Sequence, residues 1–196
     1  NRKNGFPGYL KALEKTKTQG ISGALVMNAN PFTLGHQYLV ETAAAQCDTL
    51  HLFVLSEDAS LVPFTVRKKL VQAGVAHIPN VVLHDSGPYI ISSATFPSYF
   101  LKDAAAVIEG HARLDLAVFT KIAGALNVTK RFVGEEPTSQ VTGLYNEIMV
   151  RELPKAGIEC HVVPRKQAAG QAISASTVRL ALQKGDWESL KMLVPQ

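Results

Sequence analysis

Residues 21–36 read ISGALVMNANPFTLGH and join an apolar run to a polar loop. The run at 21–27 has the pattern of a strand that is buried on both faces. Residues 35–47, which follow the loop, have the apolar period of an amphipathic helix. A buried strand, a polar loop and a helix in this order are typical of a βα unit. The stretch therefore predicts a parallel sheet that is covered by helices.

The same alternation continues along the rest of the chain. Apolar runs of strand length occur at 50–55, 81–83, 131–133 and 158–163. Helical periodicity occupies 66–77, 103–127, 143–155, 176–184 and 187–193. Together these runs predict a doubly wound α/β fold with a five-stranded parallel sheet, each apolar strand being buried. Because such sheets bind ligands beyond the carboxyl ends of their strands, the loops at that edge are the candidate site.

Composition and charge narrow the class of protein. The chain has 196 residues, of which 46% are apolar and 18% are charged, which excludes a disordered chain and a coiled coil. The net charge of +4 comes entirely from residues 1–20, which hold five basic residues and one acidic residue. We therefore expect 1–20 to be a basic linker or peripheral helix. Residues 21–196 are the expected functional domain, and their balanced charge argues against a nucleic-acid partner.

Cysteine and histidine spacing indicates neither a disulfide framework nor a metal site. Cys47 and Cys160 are far apart in sequence and are most simply core residues of a protein in a reducing cytoplasm. No apolar run approaches the roughly 18 residues of a membrane span, so no membrane partner is expected. Four histidines lack ligand spacing and are expected to be structural: His51, His84, His111 and His161.

The loop at 28–36 has the composition of an anion site. Pro31 fixes a turn, and Gly35 lets the backbone approach a ligand closely. Thr33 and His36 stand where a helix begins, and free N–H groups at that end attract an anion. Even a neutral His36 can donate a hydrogen bond to a phosphate oxygen. The alternative is that Thr33 is an ordinary N-cap and His36 a partly buried residue of the first turn.

A second motif, ISASTVR at 173–179, also precedes a helix. Hydroxyls at Ser174, Ser176 and Thr177 form a second candidate anion cradle, and Arg179 could fork onto a phosphate. The alternative is a plain Ser/Thr cap with a solvated arginine. The first motif follows the first strand and the second follows the fifth, so both can open at one edge of the sheet. Two helix N-termini that face one cleft suit a polyphosphate.

Four segments of the chain resemble the citrate lyase ligase family: VMNANPFTLGH at 26–36, FVGEEP at 132–137, YNE at 145–147 and ISAST at 173–177. The pair T-x-G-H and I-S-x-S-T-x-x-R is similar to motifs of the wider nucleotidyltransferase superfamily, often called the HxGH superfamily. This resemblance implies a Rossmann-like fold and an enzyme that activates acetate with ATP, releasing pyrophosphate. It also implies transfer of the acetyl group to the citrate lyase acyl carrier protein, on the thiol of a prosthetic group derived from dephospho-CoA.

The resemblance also implies roles for individual residues. Thr33 and His36 match positions that contact the α-phosphate, while Ser176, Thr177 and Arg179 match the motif that holds the departing pyrophosphate. The other expected nucleotide-binding positions are Met27, Asn28, Asn30, Phe32, Gly35, Gly134, Glu135, Arg165 and Ser174. Arg165 is expected from its place between the fifth strand and the serine motif. Mg²⁺ is expected with the ATP. Adenylyltransferases usually have Asp where this chain has Asn30, a difference that fits the ligase family.

The sequence leaves more than one interpretation open for several polar residues. Arg67 and Lys69 could reach phosphate or form a solvated basic turn. Lys166 could bind phosphate beside Arg165. The uncharged loop at 86–99 could hold a carboxylate, serve as a lid or be a plain loop. Two residues are expected on the acyl side by resemblance alone: Tyr145 and Asn146.

Two other functions remain open from the sequence. One is an adenylyltransferase of the phosphopantetheine or nicotinamide-mononucleotide type, whose phosphate-bearing acceptor would need more basic residues near the loop at 86–99 than the sequence has. The other is a nucleotide-binding module without catalysis, against which the intact His36 and serine motif argue.

Overall fold

The computed structural model describes residues 5–57, 60–90, 105–136, 139–168, 171–172 and 174–196. Its main sheet has five parallel strands: β1 (Ser22–Met27), β2 (Thr49–Val54), β3 (Val81–Asp85), β4 (Val128–Gly134) and β5 (Glu159–Val163). The order across the sheet is β3-β2-β1-β4-β5. A small antiparallel hairpin joins β6 (Gln167–Ala168) to β7 (Gln171–Ala172). The predicted five-stranded parallel sheet is confirmed.

Seven α-helices surround the sheet within the described residues: α1 (Gly5–Glu14), α2 (Leu34–Ala44), α3 (Phe64–Val75), α4 (Ala105–Leu126), α5 (Gln140–Glu152), α6 (Ala175–Lys184) and α7 (Trp187–Leu193). A 3-10 turn, Leu153–Ala156, extends α5. The start of α5 lies three residues before the predicted one, because Ser139 caps it by accepting a hydrogen bond from the Thr142 N–H. None of the described helices combines the length and apolarity that crossing a membrane requires.

The sheet divides the core into two layers, as a doubly wound fold requires. Residues of α2 and α3 pack on one face against β1 and β2, and α1, α4 and α5 cover the other face. The inner strand β2, which lies between β3 and β1, is buried along its whole length. Successive side chains of β2 point to opposite faces of the sheet, so Leu52 lies in one core layer and Phe53 in the other. Burial on both faces explains the continuous apolar run from which this strand was predicted.

The expectation that the fifth strand is buried is wrong. β5 pairs only with β4 and forms an edge of the sheet, so Glu159 and Val162 are exposed and Cys160 is only partly buried. Cys47 is also partly buried, and both cysteines are free thiols. An apolar run shows that a segment prefers burial, but strand order decides how many neighbours it gains.

Residues 5–14 form a helix at the periphery that is attached to the domain. Leu13 of α1 is buried in the core layer with α4 and α5. The Tyr9 hydroxyl donates to the main-chain carbonyl of Asp85 at 2.8 Å. The rings of Phe6 and Tyr9 contact Tyr89, with centroids 5.1 and 4.9 Å apart. This helix therefore contacts the segment that leaves the carboxyl end of β3.

A crevice opens between the carboxyl ends of β1 and β4. The chain leaves β1 toward β2 and β3 on one side and later returns to place β4 and β5 on the other. The connections that follow β1 and β4 consequently run in opposite directions. This switch point puts the predicted loop at 28–36 beside the residues that follow β4.

His51 and His84 form a buried pair on neighbouring strands. The His51 Nδ1 atom lies 2.9 Å from the His84 Nε2 atom, and the Phe53 ring stacks on His84 at 4.8 Å. Burial lowers the pKa of both imidazoles from 6.5 to about 4. Both rings are therefore neutral at neutral pH, and one ring donates to the other. This arrangement agrees with the structural role expected for these two histidines.

We predict that this pair makes the fold sensitive to acid. In the unfolded chain these histidines become protonated near pH 6.5, whereas in the folded chain they become protonated only near pH 4. The free energy of unfolding should therefore fall as the pH drops from 6.5 to about 4. Above pH 6.5 the neutral pair contributes its full stabilisation. Urea denaturation at several pH values should show a shallower loss for the double variant His51→Gln, His84→Gln. Equal pH slopes for the two proteins would contradict the prediction; the exposed His77→Gln variant is the control.

Candidate active site

A cleft of about 650 Å³ occupies the switch point. It is bounded by the carboxyl ends of β1, β4 and β5 and by the first turns of α2 and α6. Ten residues predicted from the sequence line it: Met27, Asn28, Asn30, Thr33, Gly35, His36, Gly134, Glu135, Arg165 and Arg179. The sequence motifs thus meet at one place, at the edge of the sheet where ligands are expected.

Arg179 links the two motifs directly. Its Nη1 atom donates to the main-chain carbonyl of Asn30 at 2.8 Å, and its Nη2 atom donates to Ser176 Oγ at 3.1 Å. Within the described residues neither partner is a carboxylate, so the positive charge of the guanidinium is available to an anion in the cleft. The start of α6 and the loop after β1 are therefore joined, although they are far apart in sequence.

Thr33 and His36 cap the start of α2 reciprocally. Thr33 Oγ1 accepts a hydrogen bond from the His36 main-chain N–H at 3.2 Å, and the Thr33 main-chain N–H donates to His36 Nδ1 at 2.9 Å. This is a capping box in which histidine takes the third helical position. Since Nδ1 accepts this hydrogen bond, the neutral imidazole must carry its own proton on Nε2. The N-cap expected as the alternative is thus present, and it sets the tautomer of the imidazole.

The imidazole of His36 is neutral at neutral pH. Burial is the main cause that lowers its pKa to about 4, and the positive charges of Arg165 and Arg179 lower it further. A neutral ring with Nε2–H is a hydrogen-bond donor that needs no protonation to act. The first turn of α2 therefore offers an anion one imidazole donor together with the helix end.

Phe32 lies in the core behind the loop and does not line the cleft. Its side chain is 3% exposed, and its ring stacks on the His36 imidazole with centroids 5.7 Å apart. On its other side the ring lies directly against Gly74 of α3, where a Cβ atom would overlap the ring. The expected nucleotide contact of Phe32 is thus replaced by support for the imidazole, because the loop turns this side chain inward.

The hydroxyls of the second motif hold α6 and do not line the cleft. Ser174 is the N-cap, since its Oγ accepts from the Thr177 N–H at 3.2 Å and lies 2.8 Å from Thr177 Oγ1. Ser176 instead accepts from Arg179. The hydroxyls expected to form a cradle therefore have two other roles: Ser174 and Thr177 cap α6, and Ser176 orients the arginine. Residue 173 lies outside the described residues.

Arg165 is held at the mouth of the cleft by the residues that follow β4. Its Nε atom donates to the Glu135 carbonyl at 2.8 Å, and its Nη2 atom lies 2.6 Å from Glu136 Oε2. Glu136 Oε1 also accepts from the Ser139 main-chain N–H at 3.0 Å, which joins this ion pair to the start of α5. Sequence reasoning missed Glu136, although the second acid of the FVGEEP segment was the available signal.

Other predicted residues serve the cleft from outside or lie elsewhere. Asn146 Nδ2 donates to the Gly134 carbonyl at 2.9 Å and so holds the end of β4. Tyr145 is buried in the core. Lys166 lines the cleft, with its Nζ atom 6.0 Å from the centre of the Tyr38 ring.

Arg67 is neither solvated nor in the cleft, since its guanidinium is fully buried against main-chain carbonyls. Residues 91–99 of the predicted loop lie outside the described residues.

The chain offers no dedicated metal cage in the part that the structure describes. Among those residues, no group of three or more His, Cys, Asp or Glu side chains is placed to hold a metal ion. Of the two acids in the cleft, Glu136 is already paired with Arg165. Glu135 is the other acid, so a Mg²⁺ ion that entered with ATP would take most of its ligands from phosphate oxygens.

The chain matches the model of a known protein family over most of its length. The model of the citrate lyase ligase C-terminal domain family matches residues 22–196. The chain belongs to the citrate lyase ligase family. It is 46% identical over 189 residues to the [citrate [pro-3S]-lyase] ligase of Haemophilus influenzae, covering 93% of this chain and 56% of that protein. It is 47% identical over 201 residues to the Klebsiella pneumoniae ligase, covering all of this chain and 59% of that protein. The chain thus spans little more than half the length of these ligases.

The fold agrees with this family assignment. Pantothenate synthetase from Thermus thermophilus superposes with a TM-score of 0.61 at 19% identity, over 90% of this chain and 68% of that one. Together with the strand order, this likeness confirms the Rossmann-like nucleotidyltransferase fold that the resemblance implied. Residues 5–14, which form α1, precede the part of this ligase-family chain that the family model matches.

We predict that His36 in this ligase-family domain is a neutral Nε2–H tautomer. Nitrogen NMR of the histidine side chains should show an unprotonated Nδ1 at pH 7 and titration near pH 4. In the Arg179→Gln variant the pKa of His36 should rise, because a neighbouring cation that disfavours the imidazolium is removed. A protonated Nδ1 at neutral pH, or an unchanged pKa in the variant, would refute the arrangement.

We also predict that Gly74→Ala destabilises the domain. The added methyl group overlaps the Phe32 ring, and overpacking of this kind costs about 1–3 kcal/mol. Gly110→Ala is the matched control, since a Cβ atom there meets nothing within 4 Å in an exposed part of α4. That control should be more stable by about 0.5–1 kcal/mol. Urea denaturation measures both, and a Gly74→Ala variant as stable as the parent would show that Phe32 does not need this space.

Proposed function

We propose that this chain is the acid-activating part of a citrate lyase ligase. It would activate acetate with ATP, forming acetyl adenylate and pyrophosphate, and then acetylate the prosthetic-group thiol of the citrate lyase acyl carrier protein. One observation carries the proposal: the starts of α2 and α6, with His36 and Arg179, face a single cleft. Membership of the ligase family supports the choice of reaction.

In the first step, a carboxylate oxygen of acetate attacks the α-phosphorus of ATP. The bond from that phosphorus to the bridging oxygen breaks, and pyrophosphate leaves. Acetate is ionised at neutral pH, so no side chain has to remove a proton. The step then depends on holding the reactants in line and on stabilising the negative charge that moves onto phosphate oxygens.

In this proposal, His36 and Arg179 stabilise the charge and other residues of the cleft hold the nucleotide. His36 Nε2–H would donate to an α-phosphate oxygen without changing its own protonation, since its pKa is lowered to about 4. Arg179 would provide positive charge near the pyrophosphate, assisted by the N-terminus of α6. Arg165 is paired with Glu136, so its role would be to shape the nucleotide side of the cleft beside Gly134 and Glu135.

In the second step, the carrier thiol attacks the carbonyl carbon of acetyl adenylate. The thiol reacts as its thiolate after releasing a proton to water, because the thiolate is the nucleophilic form. The bond between the acetyl carbon and the adenylate oxygen breaks, giving an acetyl thioester and AMP. The carrier and its prosthetic group enter the proposal from the ligase family alone.

Two further parts of the proposal rest on general chemistry. Mg²⁺ would accompany ATP and neutralise charge on its phosphate oxygens when bound. A cytoplasmic location remains a prediction from the cysteine content.

We predict acetate-dependent exchange between ATP and labelled pyrophosphate. His36→Ala should reduce this exchange about 100- to 1,000-fold, the loss typical when one hydrogen-bond donor to a developing oxyanion is removed. The matched control is His77→Ala, because His77 is exposed and contacts Glu41 on the surface. That variant should retain the parental rate. Exchange that survives in His36→Ala would show that the imidazole does not serve the α-phosphate.

The same assay separates the alternative functions. Acetate and propionate are compared with phosphopantetheine as the second substrate. A dinucleotide formed from ATP and phosphopantetheine would indicate an adenylyltransferase. ATP binding without acetate-dependent pyrophosphate release would indicate a nucleotide-binding module. Either result would replace the ligase proposal.

A further inference from the structure

Arg67 collects main-chain carbonyls from three separate segments. It lies in the first turn of α3, and its side chain is completely buried. Nε donates to the Val62 carbonyl at 2.9 Å, and Nη1 donates to the carbonyls of Asn28 and Leu55, each at 2.8 Å. Nη2 donates to the Glu57 carbonyl. One guanidinium therefore joins the loop after β1, the end of β2 and the segment that precedes α3.

An arginine guanidinium can hold several main-chain carbonyls at once, whereas a lysine ammonium cannot hold them in the same arrangement. Its donors are fixed in one plane, so several carbonyls can be held at set angles at once. A lysine places all three of its donors on a single atom at the end of a flexible chain. Loop carbonyls have no partner in the sheet, and burying them without a hydrogen bond is costly. Arg67 thus satisfies the carbonyls and fixes the segments by the same contacts.

The segments that Arg67 holds line two cavities, and together these segments are called the wall. Residues 60–61 line the cleft described above, as does Asn28. Residues 55–57 line a second cavity of about 480 Å³, which Ser86, Gly87, Pro88 and Ile90 close at the end of β3. Because the guanidinium bonds to residues that line each cavity, it sets their separation.

The contacts continue from Arg67 into the cleft. Its Nη1 atom also donates to Asn28 Oδ1 at 3.1 Å, and the Asn28 amide donates to Ser60 Oγ at 3.1 Å. Asn30 Oδ1 accepts from the Val62 main-chain N–H at 2.8 Å. The carbonyl of Asn30 in turn accepts from Arg179. The loop that begins α2 is therefore fastened on one side to the Arg67 segment and on the other to α6.

We propose that Arg67 is a positioning residue for the acyl activation: it holds the wall, which lines the cleft and the second cavity, in the arrangement that the reaction needs. The inference rests on the proposed function for its kinetic consequence. Its structural consequence does not depend on that function. Loss of the planar guanidinium should loosen both sides of the wall together while the charge is kept.

Hydrogen exchange of the main-chain amides tests the structural consequence in the full chain. In Arg67→Lys we expect faster exchange of the main-chain amides in the segments 28–36, 55–57 and 60–62, with β4 and β5 unchanged. Arg113→Lys is the matched control, because Arg113 is an exposed arginine of α4 that pairs with Glu109 at 3.0 Å. Exchange that stays at the parental rate in both segments, or that rises equally throughout the chain, would overturn the proposal.

Steady-state kinetics tests the functional consequence. For acetate-dependent pyrophosphate exchange, Arg67→Lys should lower kcat about 100-fold, the effect of misplacing reacting groups by about 1 Å. The KM for ATP should stay within about threefold of the parental value, since the nucleotide contacts are retained. A rise in KM alone, or a loss that only matches the fraction of unfolded protein, would count against a positioning role.

A second variant keeps the test decisive if Arg67→Lys does not fold. Ser60→Ala removes the bond to Asn28 without disturbing the buried guanidinium. In Ser60→Ala we expect faster amide hydrogen exchange in the same segments and a smaller loss of kcat than in Arg67→Lys. Parental values in both measurements would refute the proposal. If the parent itself shows no acetate-dependent exchange, the proposed function fails, and the amide exchange data alone decide whether Arg67 holds the wall.

Discussion

The carboxyl ends of β1 and β4 lie side by side while the connections that follow them run in opposite directions, and the cleft exists because of this divergence. No other neighbouring pair in the described sheet has connections that diverge in this way. Two helices that start at this edge can therefore point their N-termini into one space. The chemistry proposed for the cleft depends on that geometry, since each helix end and its side chains would act on a different part of one triphosphate.

Electrostatic roles in the cleft are divided between a neutral donor and a charged one. The backbone bond to Nδ1 fixes the His36 tautomer, and burial beside two arginines keeps the ring uncharged. Arg179 supplies the positive charge and is aimed by Ser176 and the Asn30 carbonyl. A donor that never titrates near neutral pH and a cation that is already oriented need little rearrangement when charge moves during the reaction.

The loops around the cleft are stabilised by contacts between side chains and main-chain carbonyls. Arg67, Arg165, Arg179 and Asn146 each donate to a carbonyl at or beyond the end of a strand. Such carbonyls have left the hydrogen bonding of the sheet and need other partners when water is excluded. The same contacts that satisfy them hold the lining residues in place, so loop stability and site geometry have one physical cause.

The sequence alone determined the five strands of the main sheet, the helices from α2 to α7 and the two motifs at helix starts, because periodicity and capping are local properties of the chain. Tertiary structure decided what depends on distant neighbours. It placed β5 at an edge, turned Phe32 into the core against Gly74, and buried Arg67 among carbonyls of three segments. It also brought Glu136 to Arg165, about 30 residues apart in the chain. A pattern of residues gives the period of an element, whereas the direction of each side chain follows from packing between elements that lie far apart in sequence.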